Sequence, residues 1–338
     1  MKKILITGGA GYIGSHTAVE LWNAGLEPII LDDFSNSHDT VLDRLEEITG
    51  KRFAFYKGDC NQREILDQIA QDHQLAGVIH FAAFKAVGES TQQPLAYYKN
   101  NLGSLLVLLE FMQEKGIQNI VFSSSCTVYG QPDVLPVTEA TPRKDAESPY
   151  GNTKKIGEDI LVDYVKSKPG IRVVALRYFN PVGAHPSAKI GELPMGTPQN
   201  LVPFLTQTAA GIRAKMTVFG NDYDTPDGSC IRDYIHVVDL ADAHVKALAF
   251  LFEKSLDFYE VFNVGTGKGN TVLEVIHAFE EVNGLKLAYE IGPRRAGDVV
   301  KTWADTQKIN AVLGWYPKYN LEDCMRDSWR WQQTLPTS

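Results

Sequence analysis

No apolar run in the 338 residues approaches the roughly 20 needed to cross a bilayer. The opening Met1-Lys2-Lys3-Ile4-Leu5-Ile6-Thr7-Gly8 imitates a signal segment for a few residues only. Glycines follow at once, so it reads as a first β-strand. Cysteine is scarce. Cys60, Cys126, Cys230 and Cys324 are widely separated and form no C-x-x-C pair, so nothing suggests a zinc ribbon or a redox couple. Reduced thiols in a cytoplasmic protein are the expectation. Positive charge is in deficit as well. A net charge of −8 argues against a general nucleic-acid binder, although a local basic cluster can still hold a phosphorylated ligand. Internal repeats and low-complexity stretches are missing too. What is present is a globular composition, 44% hydrophobic and 22% charged. The length exceeds what one core sustains and predicts two domains.

The first half alternates short apolar runs with helical patterns. Strands are expected at Lys3–Thr7, Glu27–Leu31, Arg52–Tyr56, Gly77–Phe81, Asn119–Ser123 and Arg172–Arg177. Helices are expected at Gly14–Ala24, Val41–Ile48, Arg63–His73, Pro94–Lys115 and Pro149–Lys166. Several of the strands are continuous apolar runs, as in strands covered on both faces. Repeated βα units predict an α/β protein with a doubly wound parallel sheet. After Tyr178 the rhythm changes to Pro- and Gly-rich loops at Asn180-Pro181-Val182-Gly183 and Gly191–Pro198. The division expected is a nucleotide-binding domain over 1–179 and a smaller α/β domain over 180–338, with chain crossings between them. In the second, Glu260–Val264 reads as a strand and Thr271–Val282 as an amphipathic helix. The helix from Pro94 is more apolar than one core-facing stripe requires. Deep burial and packing against a second subunit both explain that.

Chemistry enters at Gly8-Gly9-Ala10-Gly11-Tyr12-Ile13-Gly14, which follows the first strand and opens the first helix. Glycines at 8, 11 and 14 allow a tight turn, close approach of a pyrophosphate and close packing of helix on strand. The helix N-terminus adds N–H groups and partial positive charge. Asp32 ends the second strand, near the spacing of an acid that binds an adenosine ribose. A carboxylate there repels a 2′-phosphate, so NAD is favoured over NADP. Asp59, after the third strand, either accepts from the adenine amine or is a solvated turn residue.

Ser148-Pro149-Tyr150-Gly151-Asn152-Thr153-Lys154 supplies a candidate base. Ser148 suits a helix N-cap and Pro149 the first helical position. Tyr150 and Lys154 then share one face, and a fixed ammonium favours phenolate.

These features together resemble the extended short-chain dehydrogenase/reductase family, with Ser123-Ser124-Ser125 closing a later strand before Tyr150-x-x-x-Lys154. Longer strings narrow the resemblance to the UDP-glucose 4-epimerase family. They are Thr7–His16, His80-Phe81-Ala82-Ala83, Lys85–Ser90, Leu176–His185 and Arg232–Val237, and the likeness covers essentially the whole chain. The resemblance implies a Rossmann domain with resident NAD and a UDP-sugar domain. It also implies C4 epimerisation through transient oxidation to a 4-keto sugar. Ser125, Tyr150 and Lys154 would be catalytic, Tyr150 as base and then acid, with Thr127 adding a substrate hydrogen bond. Gly8, Gly11, Tyr12, Ile13, Gly14, Asp32, Asp59, Phe81, Lys85, Asn100, Lys154 and Tyr178 would contact NAD. Asn180, Asn200 and Leu201 would form a uridine loop, with Phe219 by the uracil. Arg232 and Arg295 would meet the diphosphate, and Asp298 a ribose hydroxyl. His80, His185 and His236 read as structural, since no metal-binding spacing accompanies them. A homodimer through the helices from Pro94 and Pro149 is a further expectation.

Two readings compete. Sugar-nucleotide 4,6-dehydratases share the fold but carry Asp-Glu where this chain has Cys126-Thr127, and Cys126 also departs from the Ala usual in epimerases. A non-catalytic NAD sensor would lack part of the Ser, Tyr and Lys set. Thr302, in Lys301-Thr302-Trp303-Ala304-Asp305, is small at a position that the resemblance places near the sugar 2-substituent. It implies room for UDP-N-acetylglucosamine and UDP-N-acetylgalactosamine.

Overall fold

The computed structural model describes residues 1–295 and 298–336. They form two compact units, one of Met1–Gly130, Arg143–Tyr178 and Ala241–Phe262, the other of Gln131–Pro142, Phe179–Leu240 and Asn263–Ser338.

The first unit is built on strands β1 (Lys3–Thr7), β2 (Glu27–Asp32), β3 (Ala54–Lys57), β4 (Leu75–His80), β5 (Asn119–Ser125) and β6 (Arg172–Tyr178). Its helices are α1 (Tyr12–Asn23), α2 (Thr40–Thr49), α3 (Arg63–Asp72), α4 (Val87–Gln92), α5 (Pro94–Lys115) and α6 (Pro149–Lys166). The sheet order is Phe258–Val264, β6, β5, β4, β1, β2, β3. Pairing is parallel from β3 through to β6. The strand order reverses between β1 and β4, where crossovers leave to opposite sides and open a crevice at the strands' C-terminal ends. One sheet face, with Leu5, Ile29, Val78, Ile120, Phe122, Val173 and Ala175, packs against apolar residues of α3, α5 and α6.

Local chemistry sets the element ends. The Ser148 hydroxyl accepts the Gly151 N–H at 3.2 Å, and Pro149 follows it as the first residue of α6. β5 runs two residues past Ser123, because Ser124 and Ser125 pair with Arg177 and Tyr178 on β6. Strand pairing here outweighs the preference of serines for turns. Glu260–Val264, expected in the C-terminal domain, is part of a longer strand on the edge of the large sheet. Tyr259 and Val261 pack on the large core, which explains the placement. α5 buries Leu105, Leu108, Leu109, Phe111 and Met112, whereas Leu95 and Leu106 are 81% and 47% exposed.

The second unit is assembled from short pieces. Asn180–Val182 pairs with Tyr234–His236 and Met216–Phe219 with Tyr289–Gly292, both parallel. Helices Leu201–Ala209, Val272–Asn283 and Leu321–Gln332 surround a core that includes Val182, Leu205, Met216, Tyr234, Ile276, Phe279 and Met325. Thr271 with Glu274, and Asn320 with Asp323, form reciprocal capping boxes on two of these helices.

Candidate active site

The glycine loop closes the C-terminal end of β1. Gly8 has φ +71° and donates its N–H to the Leu31 carbonyl at 2.8 Å. A Cβ on Gly14 would lie 2.3 Å from the Gly8 carbonyl oxygen, so only glycine lets α1 start this close to the loop. No side chain caps the first turn of α1, which begins at Tyr12 and Ile13, and none of its residues is acidic. That is the arrangement an incoming pyrophosphate needs. The Lys85 ammonium lies 6.0 Å from the Tyr12 ring centroid, beside the same turn. Asp32 accepts from Ala10 N–H at 3.0 Å, Phe34 N–H at 2.9 Å and the Ser37 hydroxyl at 2.7 Å. Burial pushes its carboxyl up, and those three hydrogen bonds oppose the shift. A carboxylate has about four acceptor positions, which leaves capacity for a ribose hydroxyl. Asp59 accepts from the side chain and backbone N–H of Asn61, and Asn61 donates onward to Asn100 at 3.2 Å. Phe81 packs 4.7 Å from His244, which is 6.1 Å from Tyr178. His244 was not read from the sequence. It lies on helix Val237–Leu251, whose apolar pattern includes Leu240, Ala243, Ala247, Leu248 and Leu251. These residues fit a dinucleotide along the crevice.

Tyr150, Lys154 and Ser125 come together where α6 begins and β5 ends. The Ser125 hydroxyl accepts the Thr127 N–H at 3.2 Å and hydrogen-bonds the Tyr150 phenol. Having accepted from Thr127, it has its own proton to donate. The Tyr150 phenol is pushed up from its ordinary value, first by burial and then by Tyr178, with the Ser125 hydrogen bond opposing. This corrects the expectation that Lys154 depresses it. The Lys154 ammonium donates to the Ser123 carbonyl at 2.7 Å and sits 6.0 Å from the Tyr150 ring centroid. Desolvation outweighs attraction at that range, and burial also lowers Lys154 itself to about 8. The Tyr178 hydroxyl meets Ser123 Oγ at 2.6 Å. Thr127 Oγ1 is buried and has no hydrogen-bond partner among the described residues, as expected of a group kept for a ligand. Asn101 is a second residue missed. Its amide donates to Thr153 Oγ1 and to the Phe84 carbonyl, both at 3.0 Å, and it accepts the Phe84 N–H at 2.8 Å. Thr153 in turn donates to the Tyr150 carbonyl at 2.7 Å. The doublet Asn100-Asn101 inside an apolar helix was the available signal. His80 is buried, bonded to Thr7 Oγ1 at 2.7 Å and pushed down to about 3 by burial, so it stays neutral.

In the second unit, Arg295 grips Asp298 with a two-pronged fork at 2.7 and 3.1 Å, and Arg232 lies 3.8 Å from the same carboxylate. The Arg295 guanidinium stands 5.5 Å from the Phe219 ring centroid. Ala296 and Gly297, between Arg295 and Asp298, lie outside the described residues. Asn180 donates its N–H to the Asp233 carbonyl at 2.9 Å. Asn200 precedes the helix that Leu201 begins, and its amide donates to Glu192 at 2.7 Å. Thr302 is 8% exposed, with its N–H on the Ile231 carbonyl at 3.1 Å. His236 is buried, stacks on Tyr319 at 4.2 Å and is 3.4 Å from Asp327, and His185 bonds Ser187 Oγ at 2.8 Å.

Residues 5–328 match the family model described as GDP-mannose 4,6 dehydratase. A UDP-glucose 4-epimerase of Bacillus subtilis (strain 168) is 50% identical over 333 residues, spanning 98% of this chain and 97% of the relative. This chain belongs to the UDP-glucose 4-epimerase family. Two solved structures agree. The UDP-glucose 4-epimerase of Stenotrophomonas maltophila, with bound NAD and formylated UDP-arabinopyranose, superposes with a TM-score of 0.96 at 45% identity, covering 99% of this chain and 98% of that one. That of Bifidobacterium longum, in complex with NAD+ and UDP, gives 0.95 at 45% identity, covering 98% of each chain.

The expected alternative, a sugar-nucleotide 4,6-dehydratase, turns on positions 126 and 127, where this chain has Cys and Thr. Elimination across C5 and C6 of a sugar needs an added acid and base, and this chain offers a thiol and a hydroxyl there.

Proposed function

We propose that this protein interconverts UDP-galactose and UDP-glucose by inverting the sugar C4 centre. The grouping of Ser125, Tyr150 and Lys154 at the end of β5, beside a dinucleotide crevice, carries the reading. A C4–H next to a free hydroxyl is not acidic, so direct deprotonation is closed and oxidation is the open route. NAD, when bound, would supply the hydride acceptor and donor and a positive charge that favours the phenolate. Tyr150 starts as the phenolate, to which the Ser125 hydroxyl donates, and becomes the neutral phenol when it removes the O4 proton. Lys154, anchored on the Ser123 carbonyl, holds a nicotinamide ribose hydroxyl and adds positive charge. After the 4-keto sugar turns its other face, Tyr150 returns the proton. The test is turnover of UDP-galactose by the purified chain with no NAD added.

In this reading the first unit holds the NAD and the second the UDP moiety. Arg232 and Arg295 pair with the diphosphate, Phe219 packs on the uracil, and Asp298 takes a ribose hydroxyl. Asn180, Asn200 and Leu201 complete the loop. Thr302 leaves room at the sugar C2, so the N-acetylated UDP-hexosamines are substrates too. Thr302→Tyr is expected to lower turnover of UDP-N-acetylglucosamine by about 10²-fold, the scale of a steric misplacement, with UDP-galactose turnover within about twofold. Equal loss on both sugars, measured by coupled assay, would remove Thr302 from specificity.

The exposed Leu95 and Leu106 on α5 favour a homodimer through α5 and α6. Sedimentation is expected to give twice the 37.5 kDa chain mass. Among the described residues no helix is long and apolar enough to cross a membrane. None of the four cysteines forms a disulfide, the state a reducing cytoplasm maintains, and we place the activity there.

A further inference from the structure

We propose that Glu158, Arg177 and Ser124 form a positioning relay that fixes the hydrogen bond between Ser125 and Tyr150. The proposal rests on the epimerase reading and deepens it. Glu158 lies one helical turn beyond Lys154 and two beyond Tyr150 on α6. Its carboxylate accepts the Ser124 hydroxyl at 2.6 Å and a bidentate fork from Arg177 at 2.8 and 2.6 Å. Arg143 reaches the same carboxylate at 3.3 Å. Arg177 also donates to the Tyr129 hydroxyl at 2.9 Å, at the end of the short helix Cys126–Tyr129 that carries Thr127. One carboxylate therefore ties β5, β6, α6 and that short helix together, and each of them brings a residue to the site.

Strand geometry explains the serine run. Phe122 packs on the α6 side of the sheet, so Ser124 faces the same way, opposite Arg177 in register. Ser123 points to the other face, where it meets Tyr178, and Ser125, at the strand end, lies beside Tyr150 at the start of α6. The outer serines work in the site, and the middle one bolts the strand end to the catalytic helix. Stability alone does not explain the arrangement. The side chains of Glu158 and Arg177 are 1% and 5% exposed, and a well-packed apolar pair often replaces such an ion pair at no cost. What an apolar pair cannot supply is a directional bond to Ser124.

The experiment uses NAD-loaded protein and compares wild type, Ser124→Ala and the double variant Glu158→Leu/Arg177→Met. Bound NAD, melting temperature, kcat, KM and the pH-rate profile with UDP-galactose are measured. Ser124→Ala is expected to lower kcat about tenfold, the worth of one hydrogen bond, with KM and NAD content unchanged. The Ser125 hydroxyl favours the phenolate, so loosening it raises the Tyr150 pKa and moves the rising limb of the profile to higher pH. Tyr178, Cys126 and Tyr97 also act on that phenol and are untouched in both variants. The double variant is expected to shift the limb in the same direction. An unshifted limb in folded, NAD-loaded Ser124→Ala overturns the relay, and so does a kcat loss that only follows lost NAD. Ser124→Ala keeps the ion pair, so it decides the matter even where the double variant does not fold. A wild type without epimerisation would fail the functional reading instead.

Discussion

Tyr150→Phe is expected to lower kcat about 10³-fold, within the range for losing a general acid–base, and to leave bound NAD and melting temperature nearly unchanged. The substitution deletes one oxygen and keeps a ring that is almost wholly buried. Nothing nearby takes over its role. Ser125 is a far weaker acid. The Lys154 ammonium is committed to the Ser123 carbonyl. His80 is bonded to Thr7 and held neutral by burial. In the proposed mechanism Tyr150 is base and then acid in one turnover, so both half-reactions are expected to fail together, with no partial product accumulating. Stopped-flow absorbance of the bound cofactor after mixing with UDP-galactose should show no reduction phase. A variant with more than about a tenth of wild-type kcat would place the base elsewhere.

Gly14→Ala is the second large effect. The added Cβ meets the Gly8 carbonyl oxygen at 2.3 Å and the Gly9 Cα at 2.8 Å, both backbone atoms. Neither rotates away, so the loop or the start of α1 must move. A displacement on the order of 1 Å costs about 10²-fold where geometry is demanding, and in the proposed reading backbone N–H groups in that turn hold the phosphates. The purified variant is expected to carry less than a tenth of the NAD that wild type carries, assayed after acid release. Full NAD occupancy would show that the pyrophosphate lies away from this turn.

How far the chain was readable depended on whether the cause was local. Ser148 as cap, Pro149 at the first helical turn, the spacing of Tyr150 and Lys154, and the glycine loop before Asp32 are local, and the structure has them as expected. The extension of β5 to Ser125 is not local, because its cause is the row of partners on β6. The three-residue strands Asn180–Val182 and Tyr234–His236 exist only as each other's partner, so neither segment signals a strand alone. The direction of the Tyr150 shift was misread for a related reason. Spacing reveals the Lys154 charge, but burial comes from the assembled fold, and Tyr178 and Tyr97, which add to the rise electrostatically, lie far from Tyr150 in the chain. Glu158 did leave a signal, since it extends the four-residue step from Tyr150 to Lys154. Arg177 left another, as a charge ending the apolar run Val173–Leu176.

The central claim is C4 inversion by a cofactor that returns to its starting state. Proton NMR of the purified protein with UDP-galactose and no added NAD tests it most directly. The account predicts growth of the UDP-glucose anomeric signal to equilibrium, with no net rise in NADH absorbance. A 4-keto-6-deoxy product, or NAD-loaded protein that leaves UDP-galactose unchanged, would contradict it.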